Sequence, residues 1–300
     1  GGNQTAINVR GILGALTLPT IAANLGWQYG FLVIALVGLA VAGVCIVGYT
    51  DPPAGLAQDR APNRPSTPAS TPAPASTLAP ASTPAGQSTP ARPSTRRLLA
   101  SRDLWLLGLA GLFLGVVQYS TLAHLVLYTK VDYLLAAVTA GLMLALCQAS
   151  GALGKPLAGL ISDRRFSGLR RPALLAMAAL TVTMCLILGL TAGRLGWGIY
   201  PAVAALGFGA IGWGGVYGTA AGEMGGPLGA GRVSGFTAAG VNIGGALGAP
   251  LFGLAVDTTG SYLPSWLLMA GSAALALACF AIWREPHVTR ADIVTTLAEA

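Results

Sequence analysis

The stretch GALGKPLAGLISDRRFSGLRR, residues 151–171, decides the fold of this chain. An apolar segment that contains glycine runs there into a short basic turn, and a second apolar segment, RPALLAMAALTVTMCLILGL, begins at Arg171. Short loops between membrane spans that are rich in Lys and Arg stay on the cytoplasmic side. Four arginines therefore predict a cytoplasmic turn between two transmembrane helices: Arg164, Arg165, Arg170 and Arg171.

Composition also favours a membrane protein. Hydrophobic residues make up 54% of the chain and charged residues only 9%, whereas roughly a quarter of the residues in soluble domains are charged. The net charge of +7 does not indicate nucleic-acid binding, because the arginines lie between apolar segments and form no basic stripe with interleaved aromatics. We therefore expect the lipid bilayer as a partner, and no nucleic acid.

Patterns typical of catalysis are missing from the sequence. The cysteines Cys45, Cys147, Cys185 and Cys279 each lie alone in an apolar run, and we interpret them as small core residues. No nucleophile stands with its base, and there is no metal-ligand spacing and no phosphate-binding loop. We expect no enzymatic activity, no cofactor and no metal site.

Eight apolar segments are long enough to cross a bilayer as helices, which takes about 20 residues. They are predicted at residues 7–25, 27–49, 103–128, 134–161, 172–191, 196–221, 233–256 and 262–283. A cytoplasmic basic turn puts Arg232 and Arg284 inside and Lys130 and Arg194 outside. This asymmetry is the one expected for a multi-pass protein of the plasma membrane with its carboxyl terminus in the cytoplasm.

A proline-rich segment separates the second span from the third. Eleven of the 19 prolines fall within residues 51–101, interleaved with Ser, Thr and Ala. This composition cannot bury a core and predicts a disordered linker, and its arginines place it in the cytoplasm. The predicted organisation is two transmembrane helices in residues 1–50, a linker in 51–101, a six-helix bundle in 102–285 and a cytoplasmic tail in 286–300.

Glycines recur every four residues in two of the spans. One series is Gly214, Gly218 and Gly222, and the other is Gly240, Gly244 and Gly248, followed by Pro250. Small residues at this spacing let helix backbones approach closely. Static packing is the simpler interpretation, and a smooth surface on which helices slide or rock is the alternative.

Polar side chains inside membrane spans are the candidates for function. On the third span, Gln118, Thr121, His124 and Tyr128 fall on one helix face. This face predicts either a wall of a solute cavity or hydrogen bonding between helices. His124 is a candidate for proton coupling because histidine titrates near neutral pH, and a neutral hydrogen-bonded histidine is the alternative.

Further cavity candidates lie on later spans. Gln148 and Lys155 share one helix face; Lys155 is expected to snorkel to the interface, with anion binding as the alternative. Trp213 and Tyr217 could form an aromatic cavity wall or belong to the core. Asn242 lies within a span among glycines, where its amide can reach a solute or a neighbouring helix.

The basic turn contains a specific pattern of acid, glycine and arginine. Its residues Gly159, Asp163, Arg164, Gly168, Arg170 and Arg171 match the conserved cytoplasmic turn of a known family. Two further stretches match it, GWQYGFLVIALVGL followed by TDPP, and GEMGGPLGAGRVSGFTAAGVNIGGALGAPLFGLAVDTTGSY. The chain resembles the major facilitator superfamily of secondary transporters.

This resemblance implies an all-α fold of two six-helix transmembrane bundles around a central cavity, with alternating access by rocking of the halves. The chain would supply the last two helices of the first bundle, the linker and the complete second bundle, and would lack the first four helices. A complementary N-terminal bundle is then an expected partner. The turn implies a gating role, in which charges at helix ends form a latch that breaks when the cytoplasmic side opens.

The expected function is transport of a small organic solute, coupled to a proton or another ion. Lys155 and the similarity of the last helices to organic-anion carriers favour an organic anion as the solute. Two alternatives remain open: an efflux transporter of the same family, and a membrane protein that transports nothing and assembles with a partner.

Overall fold

The computed structural model describes residue 21, residues 26–48 and residues 100–285. Over these residues the chain forms α-helices and a short 3₁₀ turn, Gly196–Gly198, and no strand. The helices are α1 (Trp27–Gly48), α2 (Arg102–Asp132), α3 (Ala137–Arg165), α4 (Arg171–Thr191), α5 (Ile199–Ala210), α6 (Gly214–Thr259) and α7 (Leu263–Ile282). The prediction of an all-α transmembrane bundle is confirmed.

Six segments of the described residues are long and apolar enough to cross a membrane. They are Arg102–Asp132, Ala137–Arg165, Arg171–Thr191, Gly196–Gly226, Gly229–Thr259 and Leu263–Ile282. The predicted second span corresponds to α1. The predicted first span at 7–25, nearly all of the linker and the tail from residue 286 lie outside the described residues.

Two helix boundaries differ from the sequence-based expectation. The predicted loop between residues 221 and 233 is instead part of α6, in which only Gly226 departs from helical geometry, with φ 58° and ψ −174°. This combination is open to glycine because it has no Cβ. The predicted span 196–221 is also interrupted, because α5 ends at Ala210 and α6 begins at Gly214. Gly226 thus divides α6 into a first arm, residues 214–225, and a second arm, Gly229–Thr259.

Helices α2 to α7 pack around two buried clusters, one toward each end of the bundle. One is centred on Tyr128, Phe252 and Trp266, and the other on Trp213, Phe280 and Trp283. Many Leu, Ile and Val side chains on the outer surface are exposed, as expected where the surrounding solvent is lipid. The second cluster lies beside the cavity described below, so core packing fixes one of its walls.

The two glycine series have different surroundings. A Cβ on Gly240 would lie 2.7 Å from the carbonyl oxygen of Gly108, and one on Gly248 would lie 2.5 Å from that of Val116. The second arm of α6 therefore packs directly on the backbone of α2, as the static-packing interpretation expects. In the first arm, a Cβ on Gly218 or Gly222 would meet nothing within 4 Å.

Substituting Gly244→Ala is expected to destabilise the bundle. The new methyl group would collide with the Leu112 carbonyl oxygen and lie 3.0 Å from the Val116 amide nitrogen. Overpacking of this kind costs about 1–3 kcal/mol, which thermal unfolding in detergent would detect as a lower midpoint. Gly271→Ala is the matched control, because a Cβ there meets nothing within 4 Å. Equal unfolding midpoints for the two variants would contradict the close contact of α2 with α6.

Candidate functional site

A cavity of about 360 Å³ opens between α2, α3 and α6. Four residues proposed from the sequence line it: Gln118, Trp213, Tyr217 and Asn242. The remaining lining residues are Tyr119, Lys155, Ile211, Gly214, Gly218, Ala221, Ser234, Thr237, Ala238 and Val241. The cavity therefore combines an aromatic wall, several hydrogen-bonding groups and one cation.

Lys155 supplies the positive charge of the cavity. Its residue surface is only 7% exposed, and the side chain lines the cavity, so the expectation that it snorkels to the interface is wrong. The reason is the close packing of α3 on α6: a Cβ on Gly215 would lie 2.8 Å from the Lys155 carbonyl oxygen. Among the described residues that line the cavity, Lys155 is charged and none is Asp or Glu.

The aromatic wall consists of Trp213 and Tyr217. Their rings meet edge to face, with centroids 4.8 Å apart. The indole Nε1 of Trp213 donates to the Ala210 carbonyl at 2.9 Å, and the Tyr217 hydroxyl donates to the Leu107 carbonyl at 2.9 Å. Both polar atoms are thus bound to backbone, so the two residues belong to the core and also present ring surface to the cavity.

The second arm of α6 brings amide and hydroxyl groups to the cavity. The Asn242 Nδ2 donates to the Ala238 carbonyl at 2.8 Å. The Thr237 hydroxyl lies 3.0 Å from the Val233 carbonyl, to which it donates. Asn242 keeps its second N–H donor and its Oδ1 acceptor, so this amide can both donate and accept toward the cavity.

The other polar residues proposed from the sequence lie apart from this cavity. His124 shares a hydrogen bond of 2.9 Å with the Ala249 carbonyl and stacks on Phe252, with ring centroids 4.7 Å apart. The Tyr128 hydroxyl donates to the Leu188 carbonyl at 2.7 Å. Thr121 and Gln148 are buried. The polar face of α2 is thus divided: Gln118 lines the cavity, while His124 and Tyr128 bind backbone carbonyls of neighbouring helices.

A set of charged residues, Asp163, Arg170, Arg171, Glu223 and Glu285, lies where the basic turn joins α3 to α4, and we call it the charged cluster. The Arg170 guanidinium contacts Asp163 and also donates to Glu223 at 3.0 Å. Burial of Arg170 opposes its charge, but the hydrogen bonds and attraction from Glu223 and Asp163 outweigh this effect and raise the pKa of Arg170. The guanidinium therefore connects α3, the turn and the first arm of α6.

The same cluster joins α4 to α7 through two reciprocal contacts. The Glu285 carboxylate accepts from the backbone N–H groups of Arg170 and Arg171 at 2.5 and 2.9 Å. The Arg171 side chain in turn donates to the carbonyls of Phe280, at 3.0 Å, and Ala281. A carboxylate at the start of one helix and a guanidinium at the end of the other both complement the helix dipoles.

The remaining residues of the turn pattern have different environments. Gly168 adopts φ +85° and donates its N–H to the Ser162 carbonyl at 3.1 Å, which ends α3; a left-handed residue at this position favours glycine. Arg164 is exposed. A Cβ on Gly159 would meet nothing within 4 Å, so the described residues give no steric reason for glycine there.

Sequence reasoning did not select Glu223 or Glu285. Both are among only ten acidic residues in the chain, and each lies near the end of an apolar span. An acidic residue at the end of an apolar span is a signal of a possible ion pair that the sequence does contain. That both carboxylates contact the same turn depends on tertiary packing, because their helices are distant from the turn in the chain. Ser234 and Thr237 were also missed, because hydroxyls within helices commonly bond to their own backbone.

Comparison of the chain with known protein families and with solved structures agrees with this architecture. The sequence profile of the Major Facilitator Superfamily matches residues 1–238. The chain belongs to the major facilitator superfamily. No curated protein sequence gives a significant match. Among solved structures, this major facilitator chain is similar to a variant of the E. coli fucose:proton symporter FucP, with 19% identity, a TM-score of 0.53, and coverage of 63% of this chain and 44% of that one.

A second FucP structure, in the outward conformation, matches with 19% identity and a TM-score of 0.54, over 66% of this chain and 47% of that one. The chain thus spans less than half the length of these transporters. At this level of identity the similarity shows the fold. Together with six segments able to cross a membrane, family membership makes this a multi-pass membrane protein of a transporter family.

Substituting Glu285→Ala is expected to lower the stability of the bundle. Two N–H groups at the start of α4 would lose their acceptor, and loss of such a cap costs about 1–2 kcal/mol. Thermal unfolding in detergent would measure the change. Asp257→Ala removes an exposed carboxylate elsewhere and serves as the control. If both variants unfold at the same temperature, Glu285 does not cap α4 as described.

Proposed function

We propose that this protein is a proton-coupled secondary transporter that moves a small organic anion across the plasma membrane by alternating access. The observation that carries the proposal is the cavity of about 360 Å³ lined by Lys155 and polar groups of α2 and α6. Its volume lies in the range of pockets that hold small ligands, about 300–1,000 Å³. A buried cation within a membrane span is costly, and such residues commonly mark a solute pathway.

The proposed site residues line the cavity or support the helices that form it. Gln118, Trp213, Tyr217 and Asn242 would contact the solute directly, because they line it. Thr121, Tyr128 and Gln148 would support the surrounding helices, because their side chains are buried. The short turn between α5 and α6 falls beside Lys155 and lets Ile211 and Trp213 reach the cavity, while Ile211 and Gly212 still donate to the Gly207 and Phe208 carbonyls.

We further propose that a complementary N-terminal bundle completes the cavity. Only 17% of the most apolar window of the second arm of α6 is buried in this bundle, compared with 44–61% for the other candidate spans. Residues 1–50 would supply two helices of that bundle, and residues 51–101 would connect the two halves in the cytoplasm. Residues 286–300 would form a cytoplasmic tail.

The charged cluster is proposed to stabilise one state of the transporter. Arg170 is largely buried, with 14% side-chain exposure, whereas its partners Asp163 and Glu223 are more exposed, at 58% and 40%. An exposed ion pair contributes about 1 kcal/mol or less, so opening of this end can break these contacts at modest cost. Gly159, Gly168 and Arg164 would shape the turn, while Arg171 would hold α4 on α7.

His124 is the proposed coupling residue. The Ala249 carbonyl can only accept, so the bonded Nε2 carries the ring proton and Nδ1 is an acceptor. A proton at Nδ1 would place a charge between α2 and the second arm of α6, near Pro250 of that arm. This would make the packing of the two helices dependent on protonation.

The transport proposal predicts uptake driven by a pH gradient. The full-length protein reconstituted into liposomes is expected to accumulate a radiolabelled organic anion when the outside is more acidic, because proton entry would drive import. A panel of carboxylates and neutral solutes of similar size would be tested, with and without an uncoupler. Absence of uptake of every solute in either orientation would contradict the proposal.

The proposed role of His124 in proton coupling is tested by substituting each of the two histidines. His124→Ala is expected to abolish accumulation against a gradient while leaving exchange of solute between the two sides. His287→Ala removes the only other histidine and should not change accumulation. If His124→Ala accumulates solute at the normal pH dependence, His124 is not the coupling residue.

The gating proposal predicts that Asp163→Asn slows transport while membrane insertion stays normal. The substitution removes one of the two carboxylates bound by Arg170 and so weakens a contact specific to one state. Initial uptake rates at equal protein density would show a several-fold reduction in maximal rate. Asp257→Asn, which removes an exposed carboxylate outside the cluster, is the matched control. Normal rates for Asp163→Asn would exclude a gating role for this contact.

A further inference from the structure

We infer that two loops at the end of the bundle opposite the basic turn insert Leu134 and Trp197 into the phospholipid bilayer, at the boundary between its headgroups and its hydrocarbon. The loops are residues 133–136, between α2 and α3, and residues 192–198, between α4 and α5. We call these two loops the interface patch. The inference concerns how the protein contacts lipid and does not depend on whether it transports a solute.

The two loops of the interface patch lie against each other. Gly193 adopts φ +79°, and a Cβ there would collide with the carbonyl oxygen of Asp132, the last residue of α2. Glycine is favoured at such a close approach because it has no side chain and tolerates a positive φ. Both loops lie at the end away from the basic turn, because α3 ends at that turn and α4 begins there. Leu134 and Trp197 are therefore presented at one end of the bundle by loops in contact.

Leu134 and Trp197 are the most exposed large apolar side chains among the described residues. Each is 85% exposed. An apolar side chain gains free energy only when its surface is removed from water. Trp197 begins a candidate membrane span, Gly196–Gly226, and Leu134 lies between two others. Lipid at the ends of these spans is the partner that would remove both side chains from water.

Leu134 is also held in a strained backbone conformation. Its φ of 53° lies in the left-handed region, where the Cβ of an L residue comes too close to the following carbonyl oxygen. Glycine and asparagine adopt this conformation more easily than leucine does. In water this exposed leucine would have the cost of strain and no compensating contact. Insertion of its side chain into lipid would supply that contact.

Trp197 has the chemistry of an interfacial residue. Its ring stacks on that of Tyr200, with centroids 5.8 Å apart and planes 20° from parallel. Tryptophan and tyrosine combine an apolar ring with one polar group, and both are enriched where hydrocarbon meets headgroups. The stack also restrains the indole in advance, so less side-chain entropy is lost when the ring enters lipid.

Helix length places the interface patch at the required depth. Helix α4 has 21 residues, which at 1.5 Å per residue span about 30 Å, the thickness of the hydrocarbon core. The loop that follows Thr191 therefore begins at the boundary. The charged residues beside the patch are Lys130, Asp132 and Arg194, and the two cations are exposed. Cations at this level can contact lipid phosphates, which agrees with a position among headgroups.

The first test locates the Trp197 indole by fluorescence in the full-length protein in lipid nanodiscs. The difference between the emission of the unaltered protein and that of Trp197→Phe isolates the signal of Trp197. Lipids brominated near the headgroup end of their acyl chains are expected to reduce this signal about twofold, while iodide in the aqueous phase leaves most of it. Trp266→Phe is the matched control, because Trp266 is 1% exposed and its signal should respond to neither quencher.

Two outcomes of the quenching experiment would overturn the inference. A Trp197 signal that is quenched by iodide and not by brominated lipid would place the indole in water. A Trp197 signal that neither quencher reduces would show that protein covers the indole, either a partner chain or a further segment of this one.

The second test uses the strain at Leu134. If this residue lay in water, Leu134→Asn would relieve the strain without loss of a contact and would raise the thermal unfolding midpoint. If the side chain lies in lipid, the substitution removes an inserted apolar group, and the midpoint in nanodiscs is expected to fall by about 2–4 °C. Ala192→Asn is the matched control, because Ala192 has φ 39° and carries only a methyl group; its midpoint should be unchanged or higher. A midpoint for Leu134→Asn at or above that of the unaltered protein would overturn the inference.

Discussion

The hydrocarbon interior of a membrane contains no water to bind polar groups, and this constraint determines most side-chain contacts in the bundle. The hydroxyls of Tyr128 and Tyr217 and the indole nitrogen of Trp213 all donate to backbone carbonyls. Thr237 and Asn242 donate to carbonyls of their own helix. These donors are bound to backbone, whereas Gln118, Tyr119, Ser234 and Lys155 add further hydrogen-bonding groups to the cavity beside its aromatic surface.

Charged groups are concentrated at the end of the bundle where helices terminate. Arg170 contacts acids from α3 and α6, while Glu285 and Arg171 cap α4 and α7 reciprocally. The two kinds of contact suit different tasks. A carboxylate bound to backbone N–H groups stabilises a helix start in every state, whereas a partly exposed ion pair contributes little and can be exchanged. The cluster therefore combines a helix cap made by Glu285 with a partly exposed ion pair made by Arg170.

Glycine positions the cavity by allowing helices to approach closely. Gly240 and Gly248 bring the second arm of α6 onto α2, and Gly215 brings the first arm onto α3 at Lys155. Gly226 allows the two arms to join without a loop. Asn242 and Lys155 lie 87 residues apart in the chain, yet they line one cavity because these contacts fix the two arms against α2 and α3. The distribution of glycine thus determines which polar residues share the site.

The sequence by itself determined the membrane class, the six spans of the bundle, the basic turn and the family, since apolar length and loop charge are local properties of a segment. It could not determine that Gln118 lines the cavity while Tyr128, on the same helix face, binds the Leu188 carbonyl. It also suggested snorkelling for Lys155 and left Glu223 and Glu285 unassigned. Which neighbour a side chain meets depends on helix packing between distant segments, and only the tertiary structure decided that.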